Sequence, residues 1–123
     1  MAYLYMEKGR LTLLLAAVLV AGVPADDAVY RASLEFGVDH AHLDTLSFCE
    51  STRNPLAVGD GGRARGLMQF HLRTFERWAG ELGYVGDVRT DPVASARAAA
   101  LKVSTEGTYR QGWSVCSEKY GLP

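Results

Sequence analysis

The chain has 123 residues, 48% of them hydrophobic and 22% charged, with a formal net charge of −1. That length is one domain's worth, and the composition is that of an ordinary globular protein. The near-neutral balance gives no reason to expect a nucleic-acid partner, and no internal repeat or low-complexity stretch is visible.

Residues 1–25 stand apart. Lys8 and Arg10 give a basic-leaning start, "LTLLLAAVLVAGV" follows with no charge, and "PADD" places the small residues Val23 and Ala25 at an exit. That order describes a secretory signal peptide, and the apolar run is short of the ~20 residues of a spanning helix. An uncleaved anchor and a buried core helix are the alternatives. Met6 opens the leader more cleanly than Met1. On this reading the mature chain starts at Asp26, is secreted or periplasmic, and has no membrane span. Removing 25 of 123 residues leaves 98, a size at which a covalent staple helps. Cys49 and Cys116 are the two cysteines, and in an exported chain an even count reads as a disulfide. A metal pair or a reactive thiol competes with that reading.

The mature chain reads as all-α with four or five helices and a minor hairpin. Two aspartates open a first helix, with Ala28, Tyr30 and Leu34 on one face and Gly37 as its stop. Asp39 caps a second, in which Leu43, Leu46 and Glu50 share a face at i, i+3 and i+7. Pro55 ends it near Ser51 to Arg53. "LAVGDGGRARG" is a glycine-punctuated loop, and "LMQFH" a short apolar piece. "TFERWAGELG" is a third helix with Phe75, Trp78, Ala79 and Leu82 inward. Asp91 and Pro92 start an alanine-rich fourth. A last short element carries Cys116.

Glu50 stands out on this map. It lies on an apolar stripe, where desolvation raises a carboxyl pKa, and at a helix carbonyl end, whose partial negative charge acts in the same direction. A carboxylic acid kept protonated near neutral pH suits general-acid catalysis. The plainer alternative is a boundary glutamate that pairs with Arg53, Arg63 or Arg65.

The following segment tips the balance. "CES..NP.AVGDGG.A.GLMQF" resembles the lytic transglycosylases of the lysozyme-like superfamily, through Glu50-Ser51, Asn54-Pro55, Ala57-Val58, Ala64 and Gly66 to Phe70. Thr74, Phe75 and Trp78, then "DPVASARAAA", resemble the family's later helices, so the likeness covers roughly residues 28 to 118. "CES" with the terminal "GWSVC" also resembles the resuscitation-promoting factors, which place cysteines in comparable positions. The family's usual glycine after Glu-Ser is Thr52 here. Its late "AYNAG" segment is replaced by "TYRQGW".

The resemblance implies a small helical lysozyme-like domain that cleaves the β-1,4 bond between N-acetylmuramic acid and N-acetylglucosamine in peptidoglycan. Glu50 is the implied catalytic acid, and the substrate's acetamido group replaces a second carboxylate. An internal 1,6-anhydro ring forms and no water is consumed. Gln69, Met68 and Ser51 are the implied substrate contacts, and Tyr109 stands where the family's acid-positioning tyrosine would be. Gln69 has a plainer alternative in satisfying loop backbone, Met68 in the core, and Ser51 in capping the helix. Asp60 is a turn former or, in a hydrolase, an orienter of water. Trp78 and Trp113 read as core. His40, His42 and His71 do not form a metal set, so no metal or cofactor is expected. The expected partner is the glycan strand, and the expected state a monomer. A lysozyme-type hydrolase and a non-catalytic wall-binding or secretion-apparatus component are the competing functions.

Overall fold

The computed structural model describes residues 4–7, 10–13 and 22–123. Strands β1 (Leu4–Glu7) and β2 (Arg10–Leu13) form an antiparallel pair. About half of the leader read from residues 1–25, including residues 14–21 of its apolar run, lies outside the described residues. Among the described residues no helix is long and apolar enough to cross a membrane.

Five helices and a small sheet follow. Helix α1 (Ala25–Phe36) ends on Gly37 at φ 66°, a left-handed residue that glycine adopts without strain. Its buried residues are Ala28, Val29, Ala32 and Ser33, whereas Tyr30 and Leu34 are 50% and 66% exposed. The face expected from the larger apolar residues is therefore corrected. The helix packs on α4 (Pro92–Glu106), whose buried residues are mostly alanine, and the side chains at a helix contact set the distance between the axes. Arg97 of α4 reinforces the contact through paired hydrogen bonds to Glu35 at 2.8 and 2.7 Å.

Helix α2 (His40–Ser51) opens with the Asp39 carboxylate accepting from His42 N. It buries Leu43 and Leu46 completely. Helix α3 (Leu72–Glu81) turns Phe75, Trp78 and Ala79 inward against α4. Helix α4 starts with Asp91 accepting from Val93 N and Pro92 in the first turn. The last element, α5 (Arg110–Tyr120), is interrupted at Gln111–Trp113, where Gly112 takes φ 99°.

The glycine-rich loop forms a three-stranded antiparallel sheet of β3 (Val58–Gly59), β4 (Ala64–Arg65) and β5 (Phe70–His71). The register pairs Gly59 with Ala64, and Arg65 with Phe70. Arg89 anchors it from behind. This buried guanidinium donates to Arg63 O at 2.7 Å and Phe70 O at 3.0 Å while Asp87 holds its other edge. Gly66 sits against the same segment. Its φ is 85°, and a Cβ built there lies 1.9 Å from Arg89 O. Gly66→Ala combines left-handed strain with overlap against backbone, so it destabilises by about 3 kcal/mol or more. A urea unfolding midpoint close to wild type would contradict that.

Candidate active site

Glu50 lies in the last turn of α2, directly beyond the fully buried Leu43 and Leu46. Its neighbour Cys49 is bonded to Cys116 of α5, with a Cα–Cα distance of 5.9 Å. Cys116 Sγ lies 3.3 Å from Glu50 Oε1. A disulfide sulfur carries no proton, so a hydrogen bond there forms only when the carboxyl is protonated, with sulfur as a weak acceptor. Burial pushes the Glu50 pKa up to about 7. The helix carbonyl end opposes ionisation in the same sense.

No cation offsets this among the described residues. The three arginines that sequence offered as partners are engaged elsewhere. Arg53 grips Asp44 through Nε and Nη2 at 2.9 and 2.8 Å. Arg63 donates to Asp60 Oδ1, and Arg65 to Gly62 O. A half-buried carboxyl with no counter-charge is a proton donor poised near neutral pH.

The chain turns away from Glu50 through two left-handed residues, Thr52 at φ 52° and Arg53 at φ 61°. A β-branched residue is strained there by roughly 1–2 kcal/mol. That is the physical reason a glycine suits this position. Thr52→Gly should raise stability by about 1 kcal/mol, after the added freedom of the unfolded chain is subtracted. Unchanged or lowered stability in denaturant titration would refute the strain.

A transglycosylase SLT domain family model matches residues 27–113. The chain belongs to that family. Comparison with curated proteins and with solved structures gives no match. SLT domains act on peptidoglycan, and the mostly helical domain with its small sheet is the lysozyme-like fold.

The matched span holds both motif halves, and the structure joins them. Ser51 Oγ donates to Leu67 O at 2.7 Å, with Ser47 O at 3.0 Å as its alternative acceptor, and accepts from Asn54 N at 3.2 Å. Ser51 is 8% exposed and ties the helix end to the Gly66–Phe70 segment. The Met68 side chain is completely buried, the placement of its core alternative, and its carbonyl accepts from Trp113 Nε1 at 2.9 Å.

Gln69 takes the left-handed φ of 52°. Its Nε2 donates to Ala57 O at 3.1 Å and Gly66 O at 2.9 Å. The amide donors thus close the turn, as the plainer alternative had it, and Oε1 is what Gln69 has left for a ligand. Gln69 also borders a cavity of about 250 Å³ shared with Phe70, His71, Lys102 and Trp113.

Tyr109 does not stand beside Glu50. Its ring packs edge-on against His42, with centroids 6.2 Å apart. Glu50 lies eight residues further along α2, about 12 Å of helix. Tyr109 is buried, its hydroxyl has no partner among the described residues, and burial, then the nearby Asp39 charge, push its pKa to about 12. Asp60 is a brace. Arg63 Nη2 lies 3.0 Å from one carboxylate oxygen and His71 Nε2 2.8 Å from the other.

Lys102 went unrecognised in the sequence. It is buried, pairs with Glu106, donates to Gln111 O, and lies 5.2 Å from the Trp113 ring centroid. The break in α5 releases the Gln111 carbonyl that Lys102 takes. The one sequence signal was the spacing of Lys102 and Glu106 at i, i+4.

Proposed function

We propose that this chain is an exported peptidoglycan lytic transglycosylase, with Glu50 as both acid and base. The observation that carries the proposal is the Glu50 carboxyl, half-buried, without a cation, and held beside a disulfide in a family-matched segment. In the first step the Glu50 proton passes to the glycosidic oxygen. The bond from the muramic C1 to that oxygen breaks, and N-acetylglucosamine leaves with a new hydroxyl. The acetamido carbonyl oxygen takes up the cationic C1, so no second enzymic carboxylate is required. Glu50, now ionised, removes the proton from the C6 hydroxyl. O6 then bonds to C1, the acetamido group is released, and a 1,6-anhydro sugar results with the acid restored. The bracing of Asp60 from both oxygens favours this route over one in which Asp60 orients water. Residues 1–25 act as the export signal in this proposal, and the disulfide suits an oxidising compartment.

Mass spectrometry of products from purified peptidoglycan tests the reading. Anhydro-muropeptides are expected. Products ending in a free reducing sugar would reassign the chain as a hydrolase, and no products at all would leave a wall-binding component.

A further inference from the structure

A groove of about 560 Å³ separates α3 from the junction of α4 and α5. Arg73, Thr74 and Arg77 form one wall, and Lys102, Glu106 and Gln111 the other. The groove meets the cavity beside Gln69, since Thr74, Lys102 and Gly112 border both. The groove with the two arginines therefore adjoins the cavity at the motif segment.

Three cations and one carboxylate line this groove in a chain whose overall charge is −1. Lys102 and Glu106 satisfy each other. Arg73 and Arg77 do not share in that pair, and among the described residues no carboxylate lies within ion-pair distance of either. Arg53, Arg63, Arg89 and Arg97 each hold one, whereas Arg31, Arg65 and Arg110 likewise hold none within that distance; Arg73 and Arg77 differ from these three in lining one groove together. Arg73 and Arg77 are both exposed and one helical turn apart, an arrangement of like charges that opposes helix formation. Arg73 also sits in the first turn of α3, where the helix dipole disfavours a cation. Arg77 lies over the Trp78 ring, 4.8 Å from its centroid, which holds its planar fork in place. Two guanidiniums without an ion-pair partner on one groove wall, one of them stacked on an indole, suit a carboxylate, which arginine binds in a bidentate manner.

We infer that Arg73 and Arg77 bind a free carboxylate of the peptidoglycan stem peptide, an inference that rests on the substrate proposed above. Thr74 and Gln111 offer a hydroxyl and an amide along the same groove for the peptide backbone. The glycan then lies toward Gln69 at the cavity end, and its peptide along α3 in the groove.

The test is titration of the wild-type chain with the synthetic tetrapeptide L-alanyl-γ-D-glutamyl-L-lysyl-D-alanine, followed by isothermal calorimetry and NMR shifts. Its fully amidated counterpart and the Arg73→Gln/Arg77→Gln double variant are the comparisons. Both substitutions lie on an exposed helix face, and circular dichroism verifies the fold. Millimolar or tighter binding is expected, at least tenfold weaker for the amidated peptide and for the double variant. Absence of binding, equal binding by the double variant, or equal binding of the amidated peptide would overturn the inference. Displacement by equimolar inorganic phosphate would also overturn it, in favour of a generic anion site. The peptide has no glycosidic bond, so this result is independent of turnover. Anhydro products without peptide binding would remove the groove assignment alone, and peptide binding without products would remove the transglycosylase alone.

Discussion

Glu50→Gln is expected to lower turnover of peptidoglycan by about 10³-fold, the scale of a lost general acid, while leaving the fold intact. The amide matches the carboxyl in shape but neither gives nor takes a proton. Wild-type activity should fall about tenfold per pH unit above the Glu50 pKa of about 7, because the ionised form cannot protonate the leaving oxygen. Near-wild-type activity in the variant would remove Glu50 from the chemistry. Stability supplies an independent check. The unfolded carboxyl titrates near its ordinary value of about 4.3, whereas burial raises the folded value. Between those limits the folded chain holds more protons than the unfolded one, so stability declines as pH rises through the window. The raw shift corresponds to about 4 kcal/mol; solvent screening of a half-buried group reduces this to about 1–2 kcal/mol. Glu50→Gln removes the penalty. The variant should melt with the wild type at pH 4 and above it at pH 8. A melting difference that is the same at both pH values would mean that Glu50 is not desolvated.

Loss of the Cys49–Cys116 bond is the second large effect. The bond spans 67 residues, and in the chain-entropy model a loop of that size contributes about 4 kcal/mol. For a domain of this size that corresponds to a fall of about 15–30 °C in melting temperature. The Cys49→Ala/Cys116→Ala variant tests this without a reductant. It should also lose activity at temperatures where it remains folded, because the bond fastens the Glu50 end of α2 to α5. A melting temperature within a few degrees of wild type would show that core packing already fixes those helices.

Helix limits were legible where the chain is punctuated. Gly37, Asp39 and the Asp91–Pro92 pair mark the helix ends they were expected to mark. The inward face of α1 was not legible, because burial there is decided by the size of the partner's side chains. Alanines on α4 admit Ala28 and Ala32 and leave Tyr30 and Leu34 outside. At the site, the surroundings of Glu50 followed from the apolar spacing of Leu43 and Leu46 and from the two cysteines. Arg89 and Lys102 escaped notice because they answer to backbone carbonyls, those of Arg63, Phe70 and Gln111. Those acceptors are freed by turns and breaks, which no side-chain pattern announces. Ser51 and Met68 are buried within the motif, and their burial was not legible because motif position does not distinguish side chains that face inward from those that face the cleft.

Helix α4 carries a further consequence. Ala94, Ala96, Ala98, Ala99 and Ala100 are all fully buried, so much of the centre of this domain is made of single methyl groups. Truncating such a residue removes little apolar surface, while enlarging it meets a close-packed neighbour on nearly every side. Mutational drift is therefore one-sided here. The stretch with the plainest composition has the least latitude for change, and diversification of this chain is channelled to its exposed helix faces.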